Sequence, residues 1–566
     1  MAPQIYLDSN ATNSVLPQAV AAAREAMEQD YGNPSSTHVA GLRARALLEA
    51  VRQRAARVLG AGDGRLMFNS GATEGIHTAV LSALVALRDR RAAGQAIGRW
   101  LLYGATEHKA VPESLAHWNR LLGLNLEILA LPVDGDGRHD LARLHALAPD
   151  TALLCTMAAN NETGVISDLA GIERQLVATG STALWLVDGV QALGKLLLNL
   201  AATRIDYAPF SGHKLYAPKG IGLLYVRAGA PFTPLMVGGG QESGWRSGTE
   251  NMAGIAALGA VLAALEDGQT FHGPRQLASF RDQLAASLRS AFVGLRFNTP
   301  FDKALPTTLN FSVPGLGSQE LLNLFDAAGL RVSAGSACSS GQGTPSHVLE
   351  AMRLPTWCSG SAIRLSFGPL VDPTTIAAAC DAIAHCAHAL HDSGRLVADA
   401  PNRRRVALAP PAALADGPVL RSADRLGKAP GSACDGRRPT RAVEDHAIAD
   451  ATSLCAFLQR HPDAVLVDVR ESYEHAAGGG FVMGGVTALN VPMASLTTYA
   501  NRWLSPHAPP LVFICRSGQR GIQAAAWMRC LGHAQAWHLA GGLAGHTVET
   551  VDLAVGPAAR RGALQP

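Results

Sequence analysis

The sequence predicts an α/β chain of more than one domain, built first on a large, mostly parallel sheet with helices over both faces. Three observations predict it. Apolar strand candidates alternate with helical stretches through about the first 230 residues, and that alternation implies parallel strands joined by crossovers. The polar residues gather just after those strands, where open α/β sheets hold ligands. Composition then breaks near residue 396, and a fresh strand-and-helix pattern starts beyond residue 440.

Bulk properties narrow the function. A chain of 566 residues suggests three or four compact units. Net charge is +3 with no long basic run, which gives no reason to expect nucleic-acid binding. The N-terminus has no basic region followed by an apolar core, so no signal peptide is read. No apolar stretch reaches a membrane-spanning length of roughly 18 residues. The nine cysteines are scattered and odd in number, and no two make a CxxC pair. That pattern argues against a disulfide framework or a structural zinc site and for a reducing cytoplasm.

In chain order, residues 15–60 read as helices. The run from Arg43 has apolar residues at helical spacing and meets a stop at Gly60. Leu66-Met67-Phe68 is a short strand that enters Asn69-Ser70-Gly71-Ala72-Thr73-Glu74-Gly75 before a helix. Strand, small-residue turn and helix aim backbone N–H groups at an anion. Strands follow at Trp100–Tyr103, Ala152–Met157 and Ala183–Val187, ending in Thr106-Glu107-His108, Asn160-Asn161-Glu162 and Asp188-Gly189-Val190-Gln191. Ile221–Val226 is another strand, and the glycine-rich stretch from Gly238 to Asn251 is too loose for a core element. Residues 280–395 read as a smaller α/β unit. It contains the Gly/Ser loop around Cys338 and the strand Ser361-Ala-Ile-Arg364-Leu-Ser-Phe367. Residues 396–440, rich in Arg, Ala, Pro and Gly, read as a flexible linker of about 45 residues.

Ser211-Gly212-His213-Lys214 organises the first site. The chain has six lysines against forty-two arginines, so a lysine in a donor-rich turn stands out. A lysine amine condenses with an aldehyde, and pyridoxal phosphate is the common partner. A protonated ring nitrogen then needs a carboxylate. Asp188, at the end of an apolar strand, is placed to supply it, although alone it reads equally as a helix N-cap. His108 can stack on a ring and move protons; alone it reads as a structural histidine. Thr73, Ser211 and His213 can donate to a phosphate.

These residues carry a resemblance. Tyr6-Leu7-Asp8, Asn33-Pro34, Ser70–Glu74, Thr106–Ala110, Asn160–Glu162, Asp188 with Gln191, Ser211–Lys214, Arg246–Thr249, Gly335–Cys338 and the Arg364 strand follow in one order. Over about residues 4–395 the chain resembles cysteine desulfurases of the NifS/IscS type. The resemblance implies a fold-type-I pyridoxal-phosphate enzyme with a large domain at about 15–260. A small domain at about 261–395, with the N-terminus, completes residues 1–395. Lys214 would hold the cofactor, Asp188 the ring nitrogen, Gln191 the ring oxygen, and His108 would stack. Thr73, Ser211 and His213 would hold phosphate, with Thr249 reaching the neighbouring subunit's phosphate in a homodimer; Ala72 would also bind the cofactor. Asn161 would touch cofactor and substrate, and with Arg364 would fix the carboxylate of L-cysteine. Cys338 would take the sulfur as a persulfide. Residues 9–14, Ser-Asn-Ala-Thr-Asn-Ser, lack the usual Thr-Thr-Pro.

A second site follows the strand Leu511–Ile514. Cys515-Arg516-Ser517-Gly518-Gln519-Arg520 makes a six-residue turn ahead of a helix, where N–H groups converging on the sulfur and two arginines would favour a thiolate. With Val467–Glu471 and Leu539-Ala540-Gly541-Gly542, residues 441–560 resemble a single rhodanese domain. Two departures are a glycine-rich stretch from Gly478 and His546 in place of a tryptophan.

The expected protein is thus a cytoplasmic, pyridoxal-phosphate-dependent cysteine desulfurase joined to a sulfurtransferase domain. Its sulfur would pass from Cys338 to Cys515 and on to a protein or small-molecule acceptor. An iron–sulfur scaffold, tRNA thiolation, molybdenum-cofactor assembly and cyanide are all open as acceptors. The alternatives are a selenocysteine lyase, and a desulfurase whose rhodanese domain only docks partners.

Overall fold

The computed structural model describes residues 4–335, 345–392, 446–504, 508–546 and 549–551. Cys338 and the expected linker at 396–440 lie outside the described residues. Two compact units divide the chain: residues 5–322 with 330–381, and residues 323–329 with the stretch from 382 onward and the first four residues.

The first unit is built on a seven-stranded sheet. In spatial order its strands are Arg65–Asn69, Gly222–Val226, Tyr207–Ser211, Leu184–Asp188, Thr151–Met157, Trp100–Gly104 and Glu127–Leu131. All neighbours pair in parallel except around Gly222–Val226, which runs antiparallel to both of its neighbours. Every residue of Thr151–Met157 is buried, because layers of side chains cover both faces; that is why the strand reads as an unbroken apolar run. Leu153 and Cys155 face Ala72–Ala92 and Ala110–Leu121 in one apolar cluster. Leu154 faces the other way, with Val39–Leu59, Leu169–Ala178 and Met252–Asp267.

Local chemistry sets these elements. In Val39–Leu59 the buried residues are Gly41, Ala44, Leu48, Val51, Ala55 and Leu59, one stripe of a 3.6-residue period. The His38 side chain caps its start by accepting from Gly41 N, and Gly60 ends it at φ 57°. A smaller antiparallel sheet, Ala362–Ser366, Thr308–Ser312 and Arg296–Phe297, completes the unit. An Asp8–Ser366 bridge ties the N-terminal segment to it.

In the second unit a five-stranded parallel sheet runs Ala447–Ile448, Ala536–Leu539, Leu511–Ile514, Val465–Asp468 and Leu489–Asn490. The glycine-rich stretch that departs from the rhodanese pattern forms a hairpin, Gly480–Met483 against Val486–Thr487. Its two turn residues, Gly484 at φ 55° and Gly485 at φ 79°, adopt the left-handed backbone that a two-residue hairpin turn needs.

Candidate active site

The strand ends of the large sheet open into a cavity of about 520 Å³. Its lining brings together most of the residues singled out from the sequence: Ala72, Thr73, His108, Asn161, Asp188, Gln191, Ser211, His213, Lys214 and Arg364. Thr249 does not line it and stands exposed in the glycine-rich loop.

Each side chain has a structural reason to be there. Tyr207–Ser211 ends at a short helical turn, Gly212–Leu215, and Tyr216 closes that turn at φ 58°. The turn puts Lys214 over the cavity, and its Nζ donates to Asn10 O (2.7 Å) and Ala11 O (2.8 Å). Asp188 ends its strand at the cavity floor, buried, and accepts from Val190 N at 2.9 Å. Burial pushes its carboxyl up, although the Val190 N–H and the His108 and Lys214 charges oppose that. A protonated ring nitrogen would supply the missing counter-charge. Burial lowers His108, with Asp188 acting the other way. His213 is held down at about 4 by burial and by Lys214 and Lys219, so it is a neutral donor near pH 7; its Nδ1 lies 3.1 Å from Thr12 Oγ1.

The anion cradle lies at the start of Ala72–Ala92. Gly71 caps it at φ 148°, and the first-turn N–H groups of Ala72 and Thr73 face the cavity beside Ser211. A buried carboxylate, a lysine amine and a helix N-terminus in one cavity form a donor set that fits pyridoxal phosphate.

Arg364 is buried in Ala362–Ser366, and its fork is already partly engaged. Nη1 donates to Asn161 O at 3.1 Å, and Nη2 pairs with Asp8. A substrate carboxylate would therefore meet an arginine oriented by Asp8. The chain on either side of the Cys338 segment converges on Glu162. Ser346 Oγ donates to Glu162 Oε2 at 2.6 Å, and a Cβ on Gly335 would stand 3.0 Å from the same oxygen. Ser333 and Arg364 exchange backbone hydrogen bonds, which fixes the upstream stem.

Sequence reasoning missed Asp8, Asn10, Glu107, Glu162 and Lys195 as working parts. Asn10 is the hub. Its backbone O takes Lys214 and Gln191, its Oδ1 takes Lys195, and its Nδ2 donates to Asn161 O and Thr308 Oγ1. The signal was in view, since Asn10 lies in the segment that departs from the usual Thr-Thr-Pro.

Cys515 ends Leu511–Ile514, is buried, and receives the Gly521 N–H on Sγ at 3.4 Å. One N–H, not several, reaches the sulfur among the described hydrogen bonds. Gly518 is left-handed at φ 86° and starts the helix Gln519–Cys530, with Ser517 in the turn before it. Arg520 forks onto Glu474 at 2.5 and 2.8 Å, so a buried carboxylate balances its charge. The Gly541-Gly542 turn backs the loop: Leu543 N donates to Cys515 O and Ala544 N to Arg516 O. A Cβ on Gly542 would stand 2.3 Å from Cys515 O.

Comparison with known proteins decides the family. The aminotransferase class-V profile matches residues 5–377, and a rhodanese-like domain profile matches residues 452–547. The chain belongs to the class-V aminotransferase family, on its cysteine desulfurase branch. It is 38% identical over 366 residues to a cysteine desulfurase of Cereibacter sphaeroides, covering 64% of this chain and 90% of that one. It is 36% identical to cysteine desulfurase NifS of Azotobacter vinelandii, covering 64% and 87%. A NifS-like protein from Rickettsia africae superposes with a TM-score of 0.57 at 28% identity, covering 67% of this chain and 98% of the other. This desulfurase-family enzyme is therefore pyridoxal-phosphate-dependent and carries a rhodanese-like domain at its C-terminus. Among the described residues no helix is long and apolar enough to cross a membrane, and no His/Cys/Asp/Glu group could hold a metal.

Proposed function

We propose that this enzyme takes sulfur from L-cysteine at Cys338, leaves L-alanine, and passes the sulfur to Cys515 in the same protein. One observation carries the first half: Lys214, Asp188, His108 and Arg364 line one cavity whose rim is an anion cradle. When bound, pyridoxal phosphate supplies a sink for the electron pair that the substrate gives up.

The chain's own residues do the rest. Ala72 and Thr73 N–H groups, with Ser211 and His213, hold the phosphate. Asp188 would keep the ring nitrogen protonated, and Gln191 would donate to the ring oxygen. Arg364, oriented by Asp8, grips the substrate carboxylate bidentately. Asn161 stands beside it in the cavity wall. Lys214 takes and returns the α-proton, and His108 moves protons at the substrate sulfur. The Cys338 thiolate bonds to that sulfur while the carbon–sulfur bond breaks. The bond's electron pair stays with carbon, which takes a proton, and the sulfur remains as a Cys338 persulfide.

The Cys515 thiolate then bonds to the outer sulfur, and the Cys338 sulfur leaves with the old bond's electron pair and takes a proton. This is ordinary thiol exchange. Because both cysteines belong to one chain, Cys515 would meet Cys338 at a higher effective concentration than a separate acceptor protein could reach. Thr249, exposed in its loop, supports a homodimer in which it reaches a second copy's phosphate.

The test is a single turnover with sulfur-labelled cysteine, followed by cleavage in the Arg-rich stretch between the domains. Label is expected on the C-terminal fragment and absent in Cys338→Ser and Cys515→Ser. Label on Cys515 in Cys338→Ser, or none in the wild type, overturns the relay.

A further inference from the structure

Lys195 has no part in the chemistry above, yet its amine reaches the wall of the cofactor cavity. Nζ donates to Gln191 Oε1 at 2.7 Å and to Asn10 Oδ1 at 3.3 Å. Both partners are amide oxygens. The four-residue spacing in the turn after Asp188 puts Gln191 and Lys195 on one side of it, since Leu193 N and Leu196 N fold back to Gly189 O and Ala192 O. Burial, with the Lys214 and Arg364 charges adding, pushes the amine down to about 7; its ammonium form carries donors and no acceptor, and that form holds the amide oxygen.

We propose that Lys195 is a positioning residue that fixes which way the Gln191 amide faces. A glutamine amide has an accepting end and a donating end of nearly equal size, and its hydrogen-bond partners choose between two orientations. With Lys195 on Oε1, a flip would set the NH₂ group against a donor. Nε2 is thereby turned toward Asn10 O, 3.1 Å away, and toward the cavity that Gln191 lines. A donor there suits an oxygen that carries negative charge, whereas a flipped amide would present an acceptor and repel it. Asn10 completes the lock: its Oδ1 holds the lysine, its main-chain O holds the glutamine, and its Nδ2 is anchored on Asn161 O and Thr308 Oγ1. This inference rests on the reading above that Gln191 faces the ring oxygen.

The experiment is a double-mutant cycle on full-length apo-protein titrated with pyridoxal phosphate, read by quenching of tryptophan fluorescence. Lys195→Met should weaken cofactor binding about tenfold in the wild-type background and less than twofold in Gln191→Ala. Lys195→Arg, which keeps a donor, should bind within about threefold of wild type. If Lys195→Met does not fold, Lys195→Gln takes its place in the same cycle. Wild-type affinity in Lys195→Met overturns the proposal, as does an equal loss in both backgrounds, which would mean direct charge or general structure. Unchanged affinity in Gln191→Ala, with the wild type binding normally, removes instead the reading that Gln191 touches the ring.

Discussion

Glu107 stands one residue before His108, wholly buried, with both carboxyl oxygens packed inside the protein. Burial, with the Asp188 charge adding, holds its carboxyl well above the usual range against a Met157 backbone hydrogen bond. It is therefore neutral where the unfolded chain would ionise near 4.5. The folded state binds the extra proton, so its stability contribution is complete below that value and is lost as pH rises toward the folded value. Glu107→Gln keeps the shape and removes the titration. Its melting temperature should gain on wild type as pH rises from about 5 to about 8; a gap that stays constant with pH would mean a charged Glu107. At Lys214 the expected effect is chemical. Lys214→Ala should bind the cofactor so that borohydride no longer fixes it to the chain, with alanine production down by at least about 10²–10⁴-fold. Arg364→Lys should raise KM for cysteine more than it lowers kcat, because an ammonium cannot fork onto a carboxylate. Lys214, Asp188 and His108 were legible because each lies inside a short motif at a strand end. Asp8 and Asn10 were not: Asp8 meets Arg364 across 356 residues and Asn10 meets Lys214 across 204, and no local pattern encodes such pairs.

Among the elements, the Cys515 loop is held by a turn more than twenty residues away in sequence. Gly542 is left-handed at φ 58°, and its missing Cβ lets the Cys515 and Gly518 backbones approach. Gly542→Ala should lower the melting temperature of the C-terminal domain and abolish label on Cys515 while alanine release continues. Normal labelling in that variant would show that the loop does not depend on the turn. Several strands around the sites were legible from apolar runs that end in polar residues, but Tyr207–Ser211, which leads into Lys214, was not read. The hairpin at Gly480–Thr487 was not, because glycine-rich sequence lacks the alternation that marks a strand. The expected electrostatics of the loop changed for a related reason. Arg520 and Glu474 are 46 residues apart in sequence, so the charge partner cannot be read beside the cysteine.

For the whole molecule, the two family matches place an aminotransferase class-V region and a rhodanese-like region on one chain. The proposed active form is a homodimer, in which the exposed Thr249 would reach the other copy's phosphate. Sedimentation should give twice the monomer mass at working concentration, and Thr249→Ala should weaken cofactor binding. An active monomer would remove both expectations. Thr249 shows how far sequence reaches at this scale. Its motif suggests a role, and the proposed one would need a second copy of the chain.

The two stems that meet at Glu162 put the sulfur carrier on a short leash. Cys338 is three residues beyond Gly335, and three residues of chain span at most about 11 Å. However the intervening segment is arranged, a persulfide carried on Cys338 as proposed would have to change hands inside a sphere of roughly that radius, plus a side chain, around Gly335. Cys515, at 1% exposure, cannot reach out from its own loop. Delivery is thus a matter of clearance: an acceptor has to bring its receiving sulfur to within a leash-length of that anchor. Shortening the segment between Gly335 and Ser346 by two residues should slow transfer to Cys515 far more than it slows the release of alanine.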